Sequence, residues 1–204
     1  MKTHKITLFC ATSLLAAGIA HAGDYRAQAI ALIKQDFHTR GIATTDRVNE
    51  DGVQAVCNYT SDKPSAAIAE RLQKDQFDAI KWPSDGKYMG GDWKKGEKIA
   101  QRGQGMAWNN KPGQENGGSC YNCHQIGPKE TAFGTVGPSL YQFGKLRGYG
   151  EDMQKYVWSK IYNAKATNLC SAMPRMGYSG TLTEKQIKDL AALLLDPNSP
   201  VNKD

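Results

Sequence analysis

One short run limits what this chain can be more than any other: Cys120-Tyr121-Asn122-Cys123-His124. Two thiols two residues apart, with an imidazole directly after the second, form the pattern that attaches haem covalently. The spacing has a chemical reason. Each thiol must reach a vinyl-derived carbon on one porphyrin edge while the imidazole sits over the iron. One helical turn presents all three groups. A zinc site would need about four nitrogen or sulfur ligands, and adjacent Cys123 and His124 can hardly both face one tetrahedral ion. An iron–sulfur centre would need more thiolates. A thioredoxin-like dithiol would need a strand before it in a βαβ setting, and no such setting is legible. The expectation is one haem c, with Cys120 and Cys123 as attachment points and His124 as an iron ligand.

The second axial ligand must come from elsewhere. Beyond residue 22, His38 is the only other histidine, and the methionines are Met89, Met106, Met153, Met173 and Met176. Met153 falls in an apolar helical stripe and reads as core filler. Met173 precedes Pro174 in an irregular, glycine-bounded stretch, the kind of loop that can hold a thioether against iron. Met173 is the preferred ligand, and Met176 remains open as the alternative. A His/Met pair raises the reduction potential relative to two histidines and leaves no open position for oxygen. Gly137-Pro138 either forms an ordinary turn or offers the Pro138 carbonyl to Nδ1–H of His124, orienting the ring.

The first 22 residues read as an export leader. Lys2 and Lys5 precede an apolar run over positions 6–20, and Ala20-His21-Ala22 is a cleavage pattern. A membrane span needs about 20 apolar residues, more than this run offers. Cys10 lies near the start of the run, where a lipidation signal would not be. The expected product is exported, soluble and periplasmic. Its modest basic excess, 26 Lys and Arg against 20 Asp and Glu, carries no basic cluster interleaved with aromatics, which argues against nucleic acid as a partner. Export also bears on Cys57 and Cys170, the thiols left after haem attachment. An oxidising compartment favours a bridge between them, with two buried free thiols as the alternative.

The fold class expected is all-α. Ala27, Ile30, Ala31 and Ile33 make one partial helical stripe, and Ala67, Ile68, Leu72 and Phe77 another, with Pro64 in the first turn of the second. Asp92 caps a helix through Trp93, Ile99 and Ala100, and residues 103–118 read as a loop. Met153, Tyr156, Val157 and Ile161 mark a helix over 151–164. Thr183 and Gln186 form a capping box for the last helix, with Ile187, Leu190, Ala191 and Leu194 on one face and Asp196-Pro197 as its stop. The expected domains are a leader over 1–22, a helical extension over 23–90 and a haem domain over 91–204.

A leading helix, the C-x-x-C-H run, Gly137-Pro138-Ser139-Leu140, Met173-Pro174 and a closing helix together resemble a class I cytochrome c. The blocks Gly90-Gly91-Asp92-Trp93-Lys94-Lys95-Gly96-Glu97, Met173-Pro174-Arg175-Met176-Gly177 and Leu182-Thr183-Glu184 through Leu195-Asp196-Pro197 further resemble SoxX in its long form. SoxX is the smaller cytochrome subunit of the SoxXA complex. Met176 departs from the pattern, which more often has an aromatic there. The resemblance implies a SoxA partner in a heterodimer that joins thiosulfate oxidatively to a cysteine of the SoxYZ carrier. Two electrons leave the reaction for a small cytochrome c acceptor. The catalytic cysteine would belong to SoxA, and this chain would accept electrons. A free periplasmic electron carrier is the other function the residues allow.

Overall fold

The computed structural model describes residues 25–203, so the expected leader over 1–22 lies outside the described residues. The described residues divide into two units, one ending at Phe37 and the other beginning at His38. Within the first, α1 spans Tyr25–Asp36 and has no buried residue. The stripe of Ala27, Ile30, Ala31 and Ile33 is helical, but Leu32 on the opposite side is as apolar, so no single face stands out.

The second unit carries the remaining helices: α2 (Gly52–Tyr59), α3 (Ala66–Asp78), α4 (Trp93–Gln101), α5 (Phe143–Arg147), α6 (Glu151–Tyr162) and α7 (Glu184–Leu195). Single 3-10 turns lie at Cys120–Asn122, Ala164–Ala166 and Pro200–Asn202. Among the described residues the only extended pairing is an isolated bridge between Arg40 and Ala43. The expected all-α class is the observed one.

Local chemistry explains the helix starts. The hydroxyl of Thr183 accepts from Gln186 N–H, and the Gln186 side chain accepts from Thr183 N–H, closing the capping box of α7. Asp51 and Gln54 do the same for α2, which the sequence analysis did not isolate. Asp92 caps α4 by accepting from Lys94 N–H. Pro64 stands one residue outside the α3 cap, Ser65, rather than in its first turn.

Helix α7 is the centre of the core. Helices α4, α5 and α6 all pack on it, so Ile187, Leu190, Ala191, Leu193, Leu194 and Leu195 are buried together. A one-sided apolar stripe would have served a surface helix; α7 is covered on most of its circumference. The closest approach is to α4 at Gly96, where an added Cβ would lie 2.1 Å from the Asp189 carbonyl oxygen. Asp189 itself is buried, and its carboxylate accepts from Asp92 N–H at 2.7 Å and meets Lys185 Nζ at 3.3 Å.

Residues 38–90 are part of this same unit. Ile80 is in the core with Trp82, Tyr88 and Met89 packed against it, and Trp158, buried on α6, donates its indole N–H to the Lys81 carbonyl at 3.1 Å. Gly90 and Gly91 both lie within this unit. Gly91 lies so close to α7 that a Cβ would sit 2.3 Å from the Lys188 carbonyl. Of the α3 stripe, Leu72 joins a second small cluster with Val53, Cys57, Leu169 and Cys170, whereas Ile68 and Phe77 remain exposed.

Candidate haem site

The C-x-x-C-H run hangs from the end of α4. Gly118 donates to the Ile99 carbonyl at 2.8 Å and Ser119 to the Arg102 carbonyl at 2.9 Å. Ser119 takes a left-handed conformation, φ 50°, which reverses the chain into the 3-10 turn of Cys120–Asn122. Cys123 and His124 both donate their N–H to the Cys120 carbonyl, at 3.1 and 2.9 Å. A single closed turn thus carries both thiols and the imidazole. Gly118 is where the chain passes the first sulfur, with an added Cβ only 3.0 Å from Cys120 Sγ.

Both Cys120 and Cys123 are free thiols and half-buried. Burial pushes the Cys120 thiol up to about 11, because a thiolate would lose its hydration beside Ile99 and the core. Between the cysteines, Tyr121 turns inward, and its hydroxyl accepts from Gly127 N–H at 3.0 Å. Burial likewise raises its pKa.

A second strand of chain, 134–140, lies along the first through backbone bonds. Gly134 donates to Tyr121, Gly137 to Cys123 and Leu140 to Gln125, at 2.8, 2.8 and 2.7 Å. This pairing brings the Pro138 carbonyl to 2.7 Å from Nδ1 of His124. A carbonyl only accepts, so Nδ1 carries the proton and Nε2 keeps its lone pair for a metal. Gly137 lies against the ring itself: a Cβ there would sit 2.3 Å from Cε1 and 2.5 Å from Nδ1. Beyond the Pro138 carbonyl expected to orient the ring, Gly137 shapes the imidazole's seat, and the glycine before that proline is its signal in the sequence.

The loop bearing the expected sixth ligand follows α6. Met173 is half-buried, belongs to neither apolar cluster, and donates its N–H to Ser171 Oγ at 3.1 Å. Met176 packs against the main core instead. Its N–H donates to the Ile161 carbonyl at 3.2 Å, and its carbonyl accepts from Leu182 at 3.0 Å. Gly177 lies over Tyr162, where a Cβ would meet the ring at 2.2 Å. The structure joins Cys57 to Cys170 in a disulfide, sulfur to sulfur 2.06 Å, just before this loop. That bond also excludes the one three-residue grouping with metal-binding spacing among the described residues, Cys57, Asp62 and Cys170, from binding an ion through free thiolates.

These residues fit haem c. Two free thiols and a metal-ready imidazole stand on one turn, Gly137 leaves the ring clear, and a methionine unused by the core lies in a separate loop. Residues missed at sequence level surround that loop. The Arg175 guanidinium contacts the Asp51 carboxylate and donates to Gln76 Oε1 at 3.2 Å. Lys165 Nζ donates to the Leu169 and Ser171 carbonyls at 3.1 and 3.3 Å.

The cytochrome c family model matches residues 94–196, from α4 through the C-x-x-C-H turn to the end of α7. An uncharacterized lipoprotein of Aquifex aeolicus (strain VF5) is 38% identical over 158 residues, covering 76% of this chain and 73% of that protein. No helix among the described residues is long and apolar enough to cross a membrane.

Proposed function

The chain belongs to the cytochrome c family, and from that premise we propose that it is the electron-accepting subunit of a SoxXA-type thiosulfotransferase, exported to the periplasm. The haem, when bound, supplies a reversible one-electron change at iron. Everything else is the work of named residues. Cys120 and Cys123 would tether the macrocycle by thioether bonds, and His124 would offer Nε2 while the Pro138 carbonyl holds Nδ1–H. Met173, from the loop after α6, would supply a thioether as the second ligand. Were His124 and Met173 both to ligate the iron, the site would move electrons and offer substrate no open position.

The observation that carries the finer reading is the set of SoxX-like blocks, 90–97, 173–177 and 182–197. They fall on the α4–α7 crossing and on the Met173 loop, and the generic haem motif alone would demand neither. A supporting feature is residues 38–90, folded into the haem-bearing unit, since a diffusible carrier needs little beyond its haem pocket. In the proposed reaction a sulfur–sulfur bond forms between thiosulfate and a SoxYZ cysteine thiol on the partner SoxA. Two electrons and the thiol proton leave, and this chain takes the electrons singly and passes them to a small cytochrome c.

The test mixes the purified haem-loaded chain with thiosulfate, reduced SoxYZ and a cytochrome acceptor, with and without SoxA. Acceptor reduction only with SoxA supports the proposal. Turnover without SoxA refutes the division of labour, and failure to bind SoxA at micromolar concentration returns the chain to a free carrier.

A further inference from the structure

Helix α2 grips the Met173 loop at two points. Its last turn carries Cys57, bonded to Cys170. Its cap residue, Asp51, holds the Arg175 guanidinium. The two grips fall on either side of Ser171-Ala172-Met173-Pro174, and the helix between them spans only Gly52–Tyr59. Each grip is itself braced. Asp51 Oδ1 accepts from Gln54 N–H at 2.9 Å and so is fixed by the helix it caps. Gln76 on α3 accepts from Arg175 Nη1 at 3.2 Å and from Asn163 Nδ2 at 3.2 Å, tying the same guanidinium to the end of α6. Arg175 also lies 4.6 Å above the Tyr178 ring. Lys165, buried, draws in the carbonyls of Leu169 and Ser171 on the disulfide side.

Within the span between the grips, the one hydrogen bond given to Met173 runs to Ser171 Oγ, inside the loop itself. The ligand-bearing residues are therefore held by their ends. A released loop with fixed ends gains less conformational entropy than one free at either end, so the bound arrangement is favoured. A thioether is a weak ligand for ferric iron, and this end-fixing is what would keep it in place.

We propose that Arg175 is a positioning residue for Met173, acting with Asp51 and the Cys57–Cys170 bridge, so that α2 sets how often the sixth position opens. The proposal rests on Met173 being the axial ligand. It assigns residues 50–80 a task at the haem: they splint the distal loop from outside the part of the chain that carries the haem motif.

The readout is competition by imidazole for the ferric iron of the full-length holoprotein, followed with the sulfur-to-iron charge-transfer band. An outside ligand binds only the open fraction, so its apparent affinity reports that fraction. Arg175→Ala, and separately Cys57→Ser with Cys170→Ser, should each strengthen imidazole binding about tenfold or more. Asp51→Asn keeps the α2 cap, because asparagine also accepts from the Gln54 N–H, yet loses the charge pair. It should shift binding in the same direction by a smaller factor, and Arg175→Lys should recover part of the native value. Gly96→Ala, which loosens the α4–α7 crossing away from this loop, should leave imidazole affinity near native even where it lowers stability. If the native protein shows the band, Met173→Ala abolishes it, and imidazole affinity stays within twofold of native in Asp51→Asn, Arg175→Ala and the bridgeless variant, the splint is refuted. If Met173→Ala retains the band, the ligand assignment beneath the proposal has failed instead.

Discussion

Nδ1 of His124 lies 2.7 Å from the carbonyl oxygen of Pro138, and the residue before that proline has no side chain because the imidazole occupies its place. Gly137→Ala would put a methyl group 2.3 Å from the ring. Neither the turn nor the backbone bond from Gly137 to Cys123 can yield much, so the ring must rotate away from Pro138. The expected outcome is a shifted Soret band and a lower reduction potential, with a loss of about 1–3 kcal/mol of stability from overpacking. Spectroscopy and urea titration of the holoprotein check this together. A native spectrum and native midpoint would mean the ring's seat is not set here.

The two candidate sulfurs separate on their surroundings. Met176 packs half-buried against the core beside α6, so Met176→Ala should cost about 2 kcal/mol, the low end for a core methionine, while keeping the sulfur-to-iron band. Met173 joins neither apolar cluster, so Met173→Ala should abolish the band with a smaller effect on unfolding by denaturant. The reverse pattern, band lost in Met176→Ala and kept in Met173→Ala, would exchange the two roles.

What the sequence made legible was local. The caps at Thr183 and Asp92, the stop at Asp196-Pro197 and the C-x-x-C-H turn depend on neighbours a few positions apart, and their residue types state the geometry. Helix α2 was not isolated because eight residues carry too short a period to stand out, although Asp51 and Gln54 spell its capping box. Gly91 lets the chain press against the Lys188 carbonyl, a contact that depends on residues nearly a hundred positions away. Nothing local marks Arg175 either, since its partners, Asp51 and Gln76, are as distant. The pairing of Cys57 with Cys170 followed from there being two thiols left over, yet what the bridge does depends on Asp51 sitting at the other end of the same helix.

At the helix crossing, Gly96→Ala tests how tightly α4 and α7 meet. Alanine would favour the isolated helix by up to about 1 kcal/mol. The added carbon would nevertheless lie 2.1 Å from the Asp189 carbonyl and 3.0 Å from Leu193 Cβ, and backbone on both sides leaves little room to move. The clash should win, with a net loss of about 1–3 kcal/mol read from chemical denaturation. A gain in stability would show that the helices can slide apart at no cost.

Removing the bridge should cost stability as well as loop order. The loop it closes spans 113 positions, for which the chain-entropy account gives about 4–5 kcal/mol, while measured values more often reach about 2–4. Mass spectrometry of the denatured, unreduced protein with an alkylating agent should find neither Cys57 nor Cys170 labelled. Two labelled thiols would remove the bridge from the solution structure.

Asp51 supplies a pH dependence whose sign can be worked out. Burial works to raise its pKa, but the Gln54 N–H and the Arg175 guanidinium outweigh it, with Lys165 adding in the same direction, and the net shift is downward. A carboxylate with a depressed native pKa stabilises the fold above its unfolded value, about 3.9 for aspartate, and that contribution is lost as pH falls through the native value. Arg175 stays charged throughout, so protonation of Asp51 is what dissolves the pair. Subtracting Asp51→Asn from the native protein cancels other groups that titrate alike in both. The native advantage in urea midpoint should therefore be steady above about pH 5 and shrink below about pH 4. Because the same pair is one of the two grips on the Met173 loop, imidazole affinity of the native protein, taken relative to Asp51→Asn at each pH so that protonation of free imidazole cancels, should rise toward the variant's over that acid range. A native advantage that stays flat down to about pH 3 would mean that Asp51 and Arg175 are not paired in solution.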